Sequence, residues 1–474
     1  MSIATAKRWG FISIPAVVAG LIWLSLLFGK GSGIGLWAWI CGGPAAILMV
    51  ISGGGWLVVP GERRFLRFMS LAGVFGVVGA VLGIFSWGFL PALALIVMSL
   101  AVAALSGWIA VEHHDAPADI PTPQMSPVLA LRAALDNIIV GVFVSVPKIV
   151  QGESEIRRVA EELDGALAAF ESNGWDENPD ALVEAPPALD NPSIIERTFV
   201  GHKLEALRFE SGYEPHPSLP GGERWLSYSN NRDARAMVFR HKDDKPRPWL
   251  ICIHGYQMGM PFLDLNLFEP KFLHEKLGCN LILPLLPLHG GRKIRLVSGD
   301  GYFNGDVLDT FNAVRQSQWD IRRLISWARL QGAEKIGAIG YSLGGYNTAL
   351  LSTLEELDLA IPAIPLTDIP DIFWFHGPRQ ILDAIGEVGA TKERAKQLMA
   401  PLSPLVRESK VALPNRHIIG GLADEIIPPA HVNMLEDHWQ TGRVTWFEGS
   451  HLAFKDLPVV NQTIAELITE KLKN

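Results

Sequence analysis

Gly340-Tyr341-Ser342-Leu343-Gly344 is the stretch that decides the fold of this 474-residue chain. It has the form G-x-S-x-G and lies between an apolar run of strand type, 335–339, and a segment, 345–351, that can start a helix. A strand, a sharp turn and a helix together form an elbow that presents a serine hydroxyl above a sheet. A plain glycine-rich turn is the alternative interpretation, because a chain with 46 glycines can match the motif by chance.

The sequence around this motif alternates between strand and helix patterns from about residue 196 onward. Short apolar runs predict buried strands, and longer stretches between them predict helices. This alternation predicts an α/β fold, in which an antiparallel section opens a mostly parallel sheet with helices on both faces. The predicted strands are 203–209, 224–228, 235–241, 249–253, 280–283, 335–339, 359–364, 416–419 and 443–447, and the predicted helices are 306–331, 430–439 and 456–473.

An acid and a base follow the last two predicted strands, in the order that suits a serine nucleophile. A serine hydroxyl needs a base to remove its proton, and the base needs an acid to orient it. Asp424 follows the first of these strands and His451 the second, so Ser342, Asp424 and His451 form a candidate catalytic triad. Asp368 follows an earlier strand and is the alternative acid, and Glu425 is expected to be a surface neighbour.

His254-Gly255 directly follows the first strand of the parallel section, at the position of an oxyanion loop. The backbone N–H groups of Tyr256 and Leu343 are the predicted oxyanion hole, with Gln257 as the fallback for Tyr256. A simple turn at the end of a strand is the alternative for His254-Gly255.

These pieces resemble the α/β-hydrolase superfamily, in its serine esterase and lipase branch, over about residues 200–474. The resemblance implies an acyl-enzyme formed on Ser342, with His451 as base and Asp424 as acid, and neither a cofactor nor a metal. It also implies a possible lid at 369–406, although ordinary helical packing would explain that apolar segment equally. The expected substrate-pocket residues are His254, Gln257, His289, Phe373 and Trp374.

The first quarter of the chain, residues 1–111, predicts a transmembrane region of about four helices. The chain is 49% hydrophobic and only 19% charged, and three long stretches carry no charge: 9–29, 31–61 and 68–111. Segments 11–28 and 34–59 are each long enough for one crossing, and 68–111 suits two crossings with a turn near residues 88–91. Three crossings, and a cleaved signal peptide over 11–28, are the alternatives.

The basic residues of this region favour one side of the membrane. Lys7 and Arg8 precede the first segment, and Arg63, Arg64 and Arg67 separate the second from the third. Because basic loops stay in the cytoplasm, four crossings place the N-terminus and everything after the last span on the cytoplasmic side.

Residues 112–195 predict a linker with amphipathic helices before the hydrolase-like domain at 196–474. The apolar part of 128–150 is too short to span, so this segment is expected to pack on the downstream domain or to lie against the membrane. Segment 153–172 has the apolar spacing of a surface helix. The net charge of -8 argues against a nucleic-acid partner, and Cys41, Cys252 and Cys279 have neither metal-site nor disulfide spacing.

The sequence therefore predicts a membrane-anchored serine hydrolase that cleaves a carboxylic ester, in the manner of an esterase or lipase. Its expected partners are the lipid bilayer and a lipophilic ester substrate. A serine peptidase, a thioesterase or an acyltransferase with the same triad stays open, as does a hydrolase fold used as a membrane scaffold without catalysis.

Overall fold

The computed structural model describes residues 10–29, 36–113, 117, 119–145, 152–243, 245–454 and 457–473. Lys7 and Arg8, on which the predicted orientation partly rests, lie outside these residues, as do Ile34 and the end of segment 128–150. The chain divides into two compact units. The first contains Met1–Val146, Gly421–Ala430 and Trp446–Asp456, and the second contains Pro147–Gly420, His431–Thr445 and Leu457–Asn474.

The helices and strands are numbered here in chain order. The helices are α1 Ile14–Gly29, α2 Leu36–Val58, α3 Arg63–Leu82, α4 Ile84–Trp87, α5 Phe89–Glu112, α6 Pro127–Ser145, α7 Glu153–Asn173, α8 Gly222–Ser227, α9 Pro261–Phe268, α10 Val307–Leu330, α11 Leu343–Leu354, α12 Ile369–His376, α13 Arg379–Glu387, α14 Lys392–Met399, α15 Pro429–Trp439 and α16 Pro458–Leu467. The strands are β1 Ser193–Phe199, β2 His202–Glu210, β3 Asp233–Phe239, β4 Trp249–Ile253, β5 Asn280–Pro284, β6 Ile336–Tyr341, β7 Leu359–Ala363, β8 Ile418–Gly421 and β9 Val444–Phe447.

Four helices of the first unit are long and apolar enough to cross a membrane, which agrees with the predicted number. They are α1 with the turn before it, α2, α3 and α5. The third helix begins earlier than predicted, so Arg63, Arg64 and Arg67 form its first two turns instead of a connecting loop. Arg67 is only 6% exposed, which means that its stem is packed inside the unit.

Glycines let these helices approach one another closely. A Cβ on Gly79 of α3 would lie 2.8 Å from the backbone nitrogen of Gly42 in α2, and one on Gly73 would lie 2.8 Å from the carbonyl oxygen of Ser99 in α5. The indole N–H of Trp23 in α1 donates to the Ser99 hydroxyl at 3.2 Å. The helices therefore share one core, built from tryptophan, leucine, methionine and alanine side chains.

Helix α6 packs against α3 and α5 within the first unit. A Cβ on Gly107 of α5 would lie 1.9 Å from the carbonyl oxygen of Ala130, so the two backbones touch at this glycine. Leu129 and Ala133 of α6 also share a small apolar cluster with Ala423. Segment 128–150 was expected to pack on the downstream domain or lie against the membrane; its described part packs on the apolar helices and on the loop that contains Ala423.

The second unit is built on a nine-stranded sheet with the order β1-β2-β3-β5-β4-β6-β7-β8-β9. The pairs from β1 to β5 along this order are antiparallel, and β5, β4, β6, β7 and β8 are parallel. Every residue of β4, β5, β6 and β7 is buried. Strands buried along their whole length have helices on both faces, which is the architecture that the sequence predicted.

In the antiparallel section one predicted strand was wrong and one strand was missed. Residues 224–228, predicted as a strand, belong mainly to the short helix α8, where the Arg224 guanidinium donates to Asp309 at 3.0 Å and to Glu162 at 2.5 Å. These ion pairs stabilise the helical conformation, although the neighbouring apolar residues by themselves favour a strand. The first strand, β1, is exposed along its whole length, so it lacked the apolar alternation by which strands are recognised.

The segment between β7 and β8 is helical, which is consistent with a lid at 369–406. It contains α12, α13 and α14. The side chains of α13 are all at least partly exposed, so this helix is only lightly packed.

Candidate active site

Ser342 occupies the elbow between β6 and α11, as the motif predicted. Its backbone has φ 59° and ψ -115°, a conformation that L-residues rarely adopt. The turn is held by the Ser342 N–H, which donates to the Ala363 carbonyl at 3.0 Å, and by the Ser342 carbonyl, which accepts from Tyr346 N–H at 3.0 Å. A strained residue fixed by its neighbours is typical of a nucleophile elbow.

Both glycines of the motif are required by close backbone approach. A Cβ on Gly340 would lie 2.1 Å from the carbonyl oxygen of Gly344, and a Cβ on Gly344 would lie 1.9 Å from the carbonyl oxygen of Ile253. The interpretation as a chance glycine-rich turn does not account for two such contacts around one strained serine.

The loop that is predicted to form the oxyanion hole leaves the sheet beside the elbow. Strands β4 and β6 are parallel neighbours with Ile253 opposite Gly340, so the loop that begins at His254 starts next to the serine turn. A Cβ on Gly255 would be 3.6 Å from the Ser342 Cβ. Leu343 is the first residue of α11, and a first-turn N–H has no partner within its helix. The N–H groups of Leu343 and Tyr256, or of Gln257, stay the predicted oxyanion hole.

His254 and His289 are buried side chains that hold this loop. The His254 ring contacts the Gly255 carbonyl through Nδ1 at 2.8 Å, and its Nε2 accepts from Leu286 N–H at 3.2 Å. The His289 ring lies 5.0 Å from the His254 ring and 6.0 Å from the Tyr256 ring, centroid to centroid. Burial, with a smaller contribution from His254, moves the pKa of His289 well below its usual value. Both side chains brace the loop, and their predicted place in the substrate pocket stays a prediction.

The predicted acid and base form a buried pair in the first unit. His451 Nδ1 lies 2.7 Å from Asp424 Oδ2, while Asp424 Oδ1 accepts from the N–H groups of Ile426 and Ile427 at 2.9 and 2.7 Å. Asp424 is 1% exposed and His451 is 8% exposed. The two loops are also joined by the Ala423 N–H, which donates to the Gly449 carbonyl at 3.0 Å. Ser342 belongs to the second unit, and its pairing with His451 stays a prediction.

The electrostatics of this pair favour a protonated imidazole. Burial by itself disfavours the imidazolium of His451, but the Asp424 carboxylate, with a further contribution from Asp136, outweighs burial and raises the pKa of His451 above its usual value. An imidazole whose Nδ1–H is held by a carboxylate presents Nε2 as its free basic atom. The pair can therefore accept a proton at Nε2 and hold it.

Asp136 of α6 is a site residue that the sequence reasoning missed. Its side chain is fully buried against the loops that carry Asp424 and His451, and it accepts from the backbone N–H of His451 at 2.7 Å. Nothing in the local sequence of α6 distinguishes this aspartate, because its partners lie about 300 residues further along the chain.

The alternative acid, Asp368, has other partners. It caps α12 by accepting from Asp371 N–H at 2.8 Å, and it is ion-paired with Lys396 at 2.7 Å. Glu425, expected at the surface, is 2% exposed and forms an ion pair with Arg63 at 3.4 Å. That expectation was wrong because the partner comes from a distant helix.

Phe373 and Trp374 line a small apolar pocket in the second unit, with a cavity volume of about 50 Å³ and an opening to solvent. The pocket lies between α7 and the helices α12, α13 and α14, and Phe303 forms another part of its wall. The centroid of the Phe303 ring is 4.9 Å from that of Tyr256, which lies in the loop after β4. Ser342, His254, Gln257 and His289 are not among the described residues that line it.

The sheet order, the elbow at Ser342 and the loop positions of the acid and base define an α/β-hydrolase fold. The chain belongs to the same family as "Uncharacterized protein MT2702" and "Uncharacterized protein Rv2627c" of Mycobacterium tuberculosis (strains CDC 1551 / Oshkosh and ATCC 25618 / H37Rv). It is 35% and 34% identical to them over 341 residues, which cover 71% of this chain and 81% of each relative. No protein-family model matches the chain.

Solved structures that are similar to the chain include two esterases. Acetyl xylan esterase 1 from Thermoanaerobacterium sp. is 14% identical, with a TM-score of 0.42 over 67% of this chain and 99% of the esterase. Est1E from Butyrivibrio proteoclasticus is 14% identical, with a TM-score of 0.34 over 51% of this chain and 96% of Est1E. At identities and TM-scores this low, neither esterase indicates the substrate or the reaction of this chain.

Among the described residues there is no group of three or more His, Cys, Asp or Glu side chains arranged to hold a metal ion. The Cys252 and Cys279 thiols are buried, and burial raises the pKa of Cys279 to about 12. Neither thiol is therefore available as a nucleophile at neutral pH.

Proposed function

We propose that the protein is a membrane-anchored serine hydrolase whose nucleophile is Ser342. The observation that carries the proposal is the buried pair of His451 and Asp424, 2.7 Å apart, in the loops that follow β9 and β8. Ser342 follows β6 of the same sheet. The carboxyl ends of parallel strands meet at one edge of a sheet, so the chain order and the strand positions support one site formed from all three residues.

The proposed reaction begins with the attack of Ser342 Oγ on a carbonyl carbon. His451 Nε2 takes the hydroxyl proton and passes it to the leaving group, while Asp424 holds Nδ1–H and stabilises the imidazolium. The N–H groups of Leu343 and Tyr256, with Gln257 as the alternative to Tyr256, stabilise the oxyanion. Water activated by His451 then releases the acid from the acyl-enzyme. The proposed reaction uses neither a cofactor nor a metal.

We propose a carboxylic ester with a lipophilic acyl group as substrate. The apolar pocket beside Phe373 and Trp374 supports this choice, since it offers a long aliphatic or aromatic group a surface with little polarity. One contact connects it to the loop beside the elbow: the ring of Phe303, which lines the pocket, packs against the ring of Tyr256. Peptides, thioesters and acyl transfer use the same acyl-enzyme and are the alternatives.

The lipid bilayer is the proposed partner of the four apolar helices, and we place the hydrolase unit on the cytoplasmic side. The basic residues Arg63, Arg64 and Arg67 at the start of α3 support this orientation. A nucleic-acid partner is not part of the proposal, because the net charge is -8.

A fluorophosphonate probe tests the nucleophile, since it forms a covalent bond to an activated serine oxygen as fluoride leaves. We expect one label per wild-type chain in membranes or detergent, and none in Ser342→Ala. Ser229→Ala, which changes an exposed serine of the same unit, is the matched control and should be labelled like the wild type. Equal labelling of Ser342→Ala and wild type would exclude this function.

A panel of esters, a thioester and a peptide amide, each with short and long acyl groups, tests the substrate class. We expect kcat/KM to rise with acyl length for esters and to fall when Trp374→Ala shortens the pocket wall. A preference for the peptide amide would instead favour a peptidase.

A further inference from the structure

The carboxyl group of Asp136 is the meeting point of the two loops that carry the proposed acid and base. Its Oδ2 accepts from the N–H of His451 at 2.7 Å and from the N–H of Glu425 at 3.2 Å. Its Oδ1 accepts from the hydroxyl of Ser450 at 3.1 Å and from the N–H of Leu452 at 3.2 Å. One side chain of α6 thus accepts from the backbone N–H of His451, from that of the next residue, Leu452, and from that of Glu425, which directly follows Asp424.

These contacts determine where the imidazole can lie. Hydrogen bonds to the N–H groups of His451 and Leu452 fix the peptide planes on both sides of the histidine, and hence the direction of its Cα–Cβ bond. The bond to Glu425 N–H fixes the peptide that follows Asp424. The relative position of acid and base therefore depends on a residue outside both loops.

Only a carboxyl group suits this position. All four contacts come from donors, and a carboxylate accepts at both oxygens, whereas the amide of asparagine has a single acceptor oxygen and two donor hydrogens. The position is also electrostatically unfavourable for a carboxylate. Burial, together with the nearby Asp424 carboxylate, raises the pKa of Asp136 above its usual value, although the N–H donors of His451 and Glu425 oppose this shift and favour the carboxylate. A buried acid next to another acid is a poor choice for stability alone.

A second contact links the loop that contains Asp424 to the apolar helices. Arg63, in the first turn of α3, pairs with Glu425 at 3.4 Å, and the Glu425 side chain is 1% exposed. Arg63 and Asp136 therefore act on adjacent parts of the loop that contains Asp424, one through a side chain and the other through the backbone.

We propose that Asp136 is a positioning residue for the serine hydrolase, through which helix α6 holds His451 in register with Asp424. This inference rests on the proposed function. It means that the N-terminal region is part of the catalytic apparatus as well as a membrane anchor, because the orientation of the general base is set by a helix that packs on the candidate membrane spans.

The test compares full-length wild type, Asp136→Asn and Leu135→Ala in the same detergent. Asparagine keeps the size of the side chain, but its NH2 group replaces one accepting oxygen and would face the donors that this oxygen binds in the wild type. We expect kcat for the best ester to fall about 10- to 100-fold, the range that a displacement of about 1 Å produces, with KM within about twofold. Leu135 is on the same helix and 44% exposed, and Leu135→Ala should leave kcat unchanged.

Fluorophosphonate labelling separates positioning from folding. In Asp136→Asn we expect slow labelling that still reaches one label per chain, because the serine remains present in folded protein. Ser450→Ala removes a single contact to Asp136 and should lower the labelling rate by a few-fold, so a graded series is available even if Asp136→Asn folds poorly.

Unchanged kcat in Asp136→Asn would overturn the inference. The inference would also be overturned if Asp136→Asn and Ser450→Ala both had fewer labelled chains at the end point but a normal labelling rate for those chains. That result would mean that Asp136 acts in folding only. Failure of the proposed function is seen separately, as labelling of wild type that survives Ser342→Ala.

Discussion

At the residue scale, the proposed chemistry depends most on the surroundings of His451. His451 is 8% exposed, and its Nδ1 is held by Asp424. A second carboxyl group, that of Asp136, accepts from the backbone N–H of His451. Two acidic side chains around one imidazole favour its charged form, which is the form that His451 would take in the proposed reaction after it accepts the serine proton. The same charges make the resting base easier to protonate as the pH falls.

The pH dependence of activity follows from this balance. The base must be neutral to act, and the pKa of His451 is raised, so activity should be lost on the acid side at a higher pH than an ordinary histidine would give. We expect kcat/KM for an ester to rise with pH around a midpoint above about 6.5, the value of an unperturbed histidine.

Asp424→Asn is the matched variant for this profile. It removes the carboxylate that raises the pKa of His451, so the midpoint should move to lower pH while kcat falls by a factor on the order of 10³ to 10⁴. A profile that is flat from pH 5 to 8 in the wild type would contradict the assignment of His451 as the base.

At the scale of elements, the contact between α5 and α6 matters most, because α6 carries Asp136. Gly107 and Ala130 bring the two backbones together, and a Cβ on Gly107 would lie 1.9 Å from the carbonyl oxygen of Ala130. A backbone atom cannot rotate away as a side chain can, so any larger residue at position 107 must separate the helices.

Gly107→Ala should therefore destabilise the protein by roughly 1–3 kcal/mol, the usual range for overpacking, and should also lower kcat because α6 moves. Gly54→Ala in α2 is the control, since a Cβ there meets nothing within 4 Å. The measurement is thermal unfolding in detergent, together with ester hydrolysis. Equal melting temperatures for the two variants would show that the α5–α6 contact is not tight.

The distance in the chain between contacting residues explains which elements the sequence could predict and which it could not. The parallel strands, the elbow and the loop positions of Asp424 and His451 were predictable because each depends on a pattern within about ten residues. Asp136 and Glu425 were not, since their partners lie 315 and 362 residues away in the chain. Strand β1 was missed because it is exposed, and α8 was mistaken because Arg224 pairs with distant carboxylates.

At the scale of the whole molecule, the number of crossings decides on which side the hydrolase unit lies. Four helices have the length and hydropathy of spans, and an even number returns the chain to the side on which it started. The short helix α4, which connects α3 and α5 and contains Ser86, should then face the opposite side of the membrane from Ser229.

Cysteine labelling of intact cells tests this arrangement. With Cys41 replaced by serine, and with Cys252 and Cys279 buried, a membrane-impermeant maleimide should label Ser86→Cys but not Ser229→Cys. After the cells are lysed, Ser229→Cys should become reactive. Labelling of Ser229→Cys in intact cells would place the hydrolase unit outside the cytoplasm.

The grouping of the 421–430 and 446–456 loops with the first 146 residues also has a consequence for synthesis. Asp136 leaves the ribosome 315 residues before His451, a delay of roughly 15–60 s at 5–20 residues per second. Until Glu425 has been synthesised, the buried acceptor on α6 has none of its four donors, and the candidate membrane spans have an incomplete packing face. The final steps of translation therefore complete both the packing of the N-terminal helices and the proposed catalytic pair.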